Sequence, residues 1–281
     1  MTEDVVKVMV TVPPQKYLVE KIGGASVKVS VLIPPGASHE TYEPTPKDIQ
    51  ALSQADVYFG IGKIGFEVSQ MPVIQEMYPD LKIVDTSKGV TFRTLENHFH
   101  EGEEESHDAS DSAEEAVSGE EDPHIWLSPK TLKIQAKHIT ETLIALEPER
   151  EKDFLNGEAA LFAELDAVDT QLRETLLPLK GTTVLVYHPA FGYLLDEYGL
   201  IQEHIEIEGR EPALSEVEKI IKEAKADKIK VIFVQEQFSQ SVARTIAEEL
   251  NGVVVSLDPL KENVIQNFQD LANTLKENLQ N

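Results

Sequence analysis

The 281-residue sequence contains no cysteine, which excludes disulfide bonds and thiolate metal ligands but leaves the cellular compartment open. It is also poor in basic residues, with 25 Lys and Arg against 50 Asp and Glu, so that the net charge is −25. Because phosphate binding needs clustered Lys and Arg, we do not expect a nucleic-acid partner. No apolar run approaches the roughly 18 residues of a transmembrane helix.

An export signal is also missing, because Glu3 and Asp4 stand where a signal peptide has basic residues. The short apolar run that follows predicts a first β-strand instead. The chain is therefore expected to be either cytoplasmic or the mature part of an exported protein. Its length suits two domains of ordinary size, and its 41% hydrophobic residues suffice for a core.

Eight short runs of β-forming residues predict strands, four in each half of the chain. They are 5–12, 27–33, 56–61 and 81–86, and then 182–188, 200–207, 230–235 and 252–258. Most of these runs are continuously apolar, as is typical of strands buried on both faces of a parallel sheet. Helical segments lie between them, and Ser128 with Pro129 forms a typical helix start. The alternation predicts an α/β fold with two lobes, each built on a parallel sheet.

The middle of the chain differs, because helical periodicity continues there without a strand. After Pro148, apolar residues recur with helical spacing from Phe154 to about Leu177. A helix over 148–177 would be about 45 Å long. This is longer than a crossover between neighbouring strands needs, so we predict a rigid strut between the two halves. Gly157 is unfavourable within such a helix.

An acidic segment precedes the helix that starts at Pro129. Residues 96–122 contain 12 acidic residues, three histidines (His98, His100 and His107) and no Lys or Arg. Since such a segment cannot bury enough apolar surface to fold alone, we predict a mobile loop over residues 97–122. Its histidines are expected to act only as auxiliary, weak metal ligands, because ordering the loop around an ion costs entropy.

Polar residues follow the predicted strands of both halves. His39 follows the second strand, His124 follows the fourth strand and the acidic segment, and His188 ends the fifth. Glu236 and Asp258 end the seventh and eighth strands. Ligands of open parallel sheets bind beyond the carboxyl ends of the strands. Three imidazoles and one carboxylate suit a tetrahedral zinc ion better than calcium or magnesium. The prediction rests on this shared position, since no short signature such as HExxH is present.

Each candidate has a structural alternative. A histidine at a strand end most often belongs to a surface loop. Asp258 is also suited to starting a turn at the proline that follows it, and Glu236, ranked below Asp258, to being a solvated acid. His138, beside the apolar stripe of its helix, and His204, inside a strand, are expected to serve structure. The charged run at residues 206–216 is expected to be a solvated loop without chemistry.

Four stretches together resemble the metal-specific solute-binding proteins of ABC transporters, in the zinc/manganese cluster of that family. They are PPGASHETYEPTPKDIQALSQADVYFGIG, DPHIWLSP, VYHPAFGYL and LDPL, in the family's order and over essentially the whole chain. The resemblance implies two (β/α)4 lobes with parallel sheets, joined by one long rigid helix, and one transition-metal ion between the lobes. We accordingly expect an N-terminal lobe over 1–147, a linking helix over 148–178 and a C-terminal lobe over 179–281.

The resemblance also implies the metal and its ligands. Manganese members tend to have a carboxylate where this chain has His188, and zinc members often carry a His- and acid-rich insertion where residues 97–122 fall. Both features favour Zn²⁺, with Mn²⁺ or iron as the alternative. Some zinc members have an acidic residue just before the first histidine, where this chain has Ser38. The fourth ligand is therefore expected to be Asp258 or water, beside the implied ligands His39, His124 and His188.

The implied function is capture of the ion and its delivery to the membrane permease of an ABC transporter, without catalysis. Binding is expected to weaken below about pH 6, where imidazoles take up protons. The resemblance implies a periplasmic or extracellular, membrane-anchored protein whose export signal is absent from this sequence, and we expect a monomer. A zinc-dependent hydrolase with Glu236 as general base is the alternative from another class, although no nucleophile motif is visible. Cell adhesion is a further alternative without direct support.

Overall fold

The structure is a computed structural model that describes residues 5–95, 121–207 and 209–280. Within these residues the chain forms two four-stranded parallel sheets surrounded by helices. Of the predicted acidic loop at 97–122, only Glu121 and Asp122 are described, so His98, His100 and His107 lie outside the described residues. None of the helices in the described ranges is long and apolar enough to cross a membrane.

Four strands form the sheet of the first half: β1 (Val6–Val10), β2 (Val27–Val31), β3 (Val57–Gly60) and β4 (Lys82–Asp85). They pair in parallel in the order β2-β1-β3-β4. The accompanying helices are α1 (Pro13–Gly23), α2 (Pro46–Leu52) and α3 (Gly65–Met77). The inner strand β3 is buried throughout, whereas exposed and half-buried residues alternate along the edge strand β2. In this sheet the continuously apolar run of β3 therefore belongs to an inner strand, which is covered on both faces.

Two helices, α4 (Pro129–Leu146) and α5 (Glu151–Leu176), occupy the middle of the described chain. Ser128 caps α4 as predicted, because its side chain accepts a hydrogen bond from the backbone N–H of Lys130. The 26 residues of α5 correspond to about 39 Å of helix. The predicted strut is confirmed, although the prolines at its ends form separate 3-10 turns, Pro148–Arg150 and Leu177–Leu179.

The second half repeats the strand order of the first. Its strands are β5 (Thr183–Val186), β6 (Ile201–His204), β7 (Val231–Gln235) and β8 (Val253–Leu257), paired in parallel in the order β6-β5-β7-β8. Its helices are α6 (Gly192–Glu197), α7 (Leu214–Ala226), α8 (Ser241–Glu249) and α9 (Val264–Leu279). All eight predicted strands are present with slightly shorter bounds, so the predicted α/β fold with two parallel sheets is confirmed.

One apolar core connects the two sheets. Helix α5 packs against α1 and α4 on the side of the first sheet and against α9 on the side of the second. The buried residues form a continuous cluster that includes Val10 of β1, Leu165 of α5 and Phe268 of α9. A second cluster fills the space between the other face of the second sheet and helices α7 and α8. Because α5 shares its apolar face with both halves, it holds the two sheets at a set separation.

The glycine in the middle of this packing has a steric reason. A Cβ atom on Gly157 would lie 2.6 Å from the carbonyl oxygen of Ile22 and 2.8 Å from that of Lys21. Both atoms belong to the backbone of α1, which cannot move aside as a flexible side chain can. Gly157 therefore costs helix propensity in α5 but allows α1 to approach it closely.

We predict that Gly157→Ala lowers the free energy of unfolding by about 1–3 kcal/mol, because overpacking outweighs the gain in helix propensity. Guanidinium denaturation measures the change. Asn156→Ala is the matched control, since Asn156 is the exposed neighbour in the same helix and gains propensity without a clash. Equal stability of the two variants would contradict the close approach of α1 and α5.

Candidate metal centre

The three histidines predicted at the strand ends lie together in the structure. His39 is in the loop after β2, His124 directly precedes the 3-10 turn Ile125–Leu127, and His188 follows β5. All three are buried. The Nε2 atom of His124 lies 2.7 Å from Nε2 of His39 and 3.2 Å from Nε2 of His188. Imidazole nitrogens from both halves of the chain thus converge on one point.

Glu40 completes this group. Its Oε1 atom lies 3.1 Å from Nε2 of His39 and 3.6 Å from Nε2 of His188. The ligand atoms of Glu40 and the three histidines all lie within 4.8 Å of one another. In a tetrahedral zinc site with bonds of about 2.0–2.1 Å, neighbouring ligand atoms are about 3.3 Å apart. The observed separations bracket this value, so the four side chains fit a small tetrahedral ion.

The protonation states of this group also suit a metal. Burial lowers the pKa of His39 to about 4, helped by the neighbouring imidazoles and opposed by the hydrogen bond with Glu40. Burial by itself would raise the pKa of Glu40, but its hydrogen bond with His39 and the charges of the three histidines bring it down to about 2. At neutral pH the first is a neutral imidazole and the second a carboxylate, which are the forms that bind metal ions.

A buried carboxylate orients His124. Oδ1 of Asp122 lies 2.6 Å from Nδ1 of His124 and accepts a hydrogen bond of 2.9 Å from its backbone N–H. Burial would raise the pKa of Asp122, but the charge and hydrogen bond of His124, together with Arg93, hold it below its ordinary value. Such a partner fixes the proton on Nδ1 and leaves Nε2 for the metal. The prediction that Asp122 belongs to a mobile loop is wrong, because its carboxylate is fully buried and bonded at the centre.

A second buried carboxylate orients His188. Oε2 of Glu206 lies 2.5 Å from Nδ1 of His188. The amide of Gln235 donates a hydrogen bond of 2.7 Å to the backbone carbonyl of His188, and the ring of Phe238 stacks on the imidazole at 4.9 Å. Three side chains of the second half thus contact this residue.

The expectation that residues 206–216 carry no chemistry is wrong for Glu206. Strands β5 and β6 pair in parallel with Val186 opposite His204. Continued by two residues, this register places His188 beside Glu206. The contact therefore follows from the pairing of β5 with β6, which the sequence alone does not specify.

The structure does not bring Asp258 to the centre. Its Oδ1 accepts a hydrogen bond of 2.8 Å from the backbone N–H of Leu260, and its backbone carbonyl accepts one of 3.0 Å from Asn267. Both contacts belong to the turn that leads into α9, which is the structural alternative for this residue. Glu236 is exposed after β7 and also lies outside the group of potential ligands among the described residues.

The sequence did not predict Glu40, because the family pattern places an acidic residue before the first histidine, where this chain has Ser38, whereas the carboxylate of this chain follows that histidine. The two histidines expected to serve structure lie away from the centre. His138 faces the backbone carbonyl of Lys88 at 2.7 Å from its Nε2 atom, and His204 is buried within β6.

The carboxylate contacts predict the tautomers of the histidines. In mildly alkaline, metal-free buffer, His124 and His188 should carry their proton on Nδ1, because a carboxylate accepts it there. His138 is the internal control and should carry its proton on Nε2, which faces a carbonyl oxygen. Long-range ¹H–¹⁵N spectra distinguish the two forms. A proton on Nε2 of His124 or His188 would contradict the proposed orientation of these rings.

Comparison with solved structures supports the fold. A crystal structure of ZnuA matches with a TM-score of 0.87 and 34% sequence identity, over 98% of this chain and 100% of that one. The match therefore includes both sheets and the long helix between them.

Comparison of sequences defines the family. The model of the ZnuA family, described as zinc-uptake complex component A, periplasmic, matches residues 8–281, and the chain belongs to this family. The high-affinity zinc uptake system protein ZnuA of Bacillus subtilis is 29% identical over 264 residues, which are 92% of this chain and 79% of that protein. The zinc-binding protein AdcA of Streptococcus pyogenes is 28% identical over 296 residues, but the chain spans only 56% of its length. The resemblance seen in the sequence motifs is thereby confirmed.

Proposed function

We propose that the protein captures one Zn²⁺ ion between its two lobes and delivers it to the membrane permease of an ABC transporter. The observation that carries this proposal is the convergence of His39, Glu40, His124 and His188, whose ligand atoms lie within 4.8 Å of one another. The first three of these residues come from the first half of the chain, and His188 comes from the second. The names of the relatives, which describe zinc binding and zinc uptake, support the choice of ion.

The chemistry of the ligands favours zinc over manganese. Three imidazoles and one carboxylate form a common tetrahedral zinc shell, whereas manganese prefers more oxygen ligands in an octahedral arrangement. One carboxylate also leaves the bound Zn²⁺ with a single formal positive charge. The site thus neutralises the ion only in part, which suits an ion that must later be released.

The same shell argues against the hydrolase alternative. Catalytic zinc sites keep one position open for water, whereas structural and storage sites are closed by four protein ligands. Here Glu40 supplies the fourth ligand, and Glu236, the candidate general base, is not part of the group. The members of the matching family are described as components of a zinc-uptake complex rather than as enzymes.

We propose that residues 1–147 and 179–281 act as two lobes that enclose the ion, with 148–178 as the linking helix. Because α5 packs on both halves, we expect only small changes between the loaded and the empty protein. The docking partner is the permease, contacted by both lobes. We place the protein in the periplasm or at the outer face of the membrane, and we expect a monomer.

We predict that His188→Ala lowers zinc affinity by about tenfold or more, because it removes a ligand and leaves the buried carboxylate of Glu206 without the imidazole that it orients. Competition with a chromophoric chelator measures the affinity. His138→Ala is the control, since this histidine lies outside the centre, and it should leave the affinity unchanged. Unchanged affinity of His188→Ala would refute the proposed site.

A second pair of variants identifies the fourth ligand. We predict that Glu40→Gln lowers zinc affinity by about tenfold, because the amide oxygen lacks the charge that binds zinc. Asp258→Asn should leave it unchanged, because Asp258 forms the turn before α9. The opposite result, a loss with Asp258→Asn alone, would mean that the loaded protein recruits Asp258 instead of Glu40. The same chelator competition measures both variants.

A further inference from the structure

Arg93 lies directly behind the carboxylate that orients His124. Its Nη1 atom is 2.8 Å from Oδ2 of Asp122, and its backbone carbonyl accepts a hydrogen bond of 2.9 Å from the Asp122 N–H. The other carboxylate oxygen of Asp122 is the one that contacts His124. Arg93 therefore reaches a potential metal ligand through a single intervening side chain.

The same guanidinium also contacts the second half of the chain. Its Nε atom donates a hydrogen bond of 2.8 Å to Oδ2 of Asp196 in α6. Tyr193 of α6 adds two bonds, since its hydroxyl accepts from the Arg93 N–H at 3.3 Å and donates to the Asp122 carbonyl at 3.0 Å. Arg93 and Asp122 are thus held as one unit by two side chains of α6.

Gly192 makes this arrangement sterically possible. A Cβ atom there would lie 1.8 Å from Nη1 of Arg93, so the guanidinium rests directly on the first residue of α6. Gly192 follows His188 by only four residues. The helix that holds Arg93 is therefore attached to the segment that carries the ligand of the second half.

We propose that Arg93 is a positioning residue that couples the orientation of His124 to the position of α6 and thereby sets the rate of metal release. This inference rests on the proposed function. Separation of the two halves near the centre would break the contacts of Arg93 with Asp196 and of Tyr193 with Asp122. Loss of Arg93 would also leave the buried Asp122 carboxylate without its cation, so that it would hold His124 less firmly.

The test compares zinc release from purified variants of the whole 281-residue chain, measured by stopped-flow mixing with an excess of chelator. We expect Arg93→Met to release zinc about tenfold faster than the unsubstituted protein. Loss of a group that holds a metal ligand typically weakens metal binding by about 10–100-fold, and the lower end applies because Arg93 acts through Asp122. Arg93→Lys should release zinc at an intermediate rate. Its ammonium keeps a positive charge, but it cannot pair with two carboxylates as the guanidinium does. Asp196→Asn, at a half-exposed position that does not threaten folding, should also release zinc faster.

Arg173→Met is the matched control. Arg173 of α5 also pairs with a carboxylate of α6, Glu197 at 3.6 Å, and with Asp169 of its own helix at 3.2 Å, but neither partner contacts a potential ligand. It should leave the release rate unchanged. A release rate of Arg93→Met equal to that of the unsubstituted protein, or an equal acceleration in Arg173→Met, would overturn the proposal.

Hydrogen exchange of residues 192–197 in the metal-free protein separates this proposal from the proposed function. Faster exchange in Arg93→Met and Asp196→Asn is expected, because α6 loses its contacts with the first half. If the unsubstituted protein bound no zinc, the proposed function would fail while the exchange still reported on the contacts of α6. If exchange rose but zinc release did not change, Arg93 would serve structure alone and the positioning role would be refuted.

Discussion

The packing of α5 between the two sheets is the constraint on which the candidate metal centre depends. Its apolar face contacts α1 and α4 on one side and α9 on the other, so that one continuous core includes residues of both halves. The centre takes His39, Glu40 and His124 from the first half and His188 from the second. Ligand atoms a few ångströms apart tolerate little change in the separation of the sheets. Gly157, which admits the backbone of α1 to contact distance, is part of the same constraint.

Electrostatics at the centre depend on pairing rather than on overall charge. The chain has a net charge of −25, yet the carboxylates at the centre are few, and two of them are nearly fully buried. Asp122 faces His124 and Arg93, and Glu206 faces His188. A buried carboxylate is costly unless a cation or a hydrogen-bond donor compensates it. The contacts with His124 and His188 also orient the two imidazole rings, so the groups that compensate the buried carboxylates are themselves potential metal ligands.

The two halves use their common strand order in different ways. In the first sheet the potential ligands follow β2 and β4, whereas in the second the single potential ligand follows the inner strand β5. The inner position gives His188 neighbours on both sides, namely Glu206 just after β6 and Gln235 of β7. His124 is instead oriented by Asp122 of its own segment, which Arg93 holds from behind. Contacts of α6 with Arg93 and Asp122 then connect the surroundings of His188 with those of His124 across the boundary between the halves.

The sequence by itself determined the elements and the histidines. Periodicity located all eight strands and the long helix, because burial on both faces and a helical apolar stripe are local patterns. His39, His124 and His188 were visible because each follows a predicted strand. Only the tertiary structure decided their partners. Glu206 reaches His188 through the register of β5 and β6. Asp122 is buried at the end of a segment whose composition predicts a loop. Glu40 lies at the position expected for Asp258, because the carboxylate of Asp258 accepts a hydrogen bond within a turn. Such choices depend on which strands are neighbours and on which local hydrogen bonds compete for a side chain, and neither is written in the order of residues along the chain.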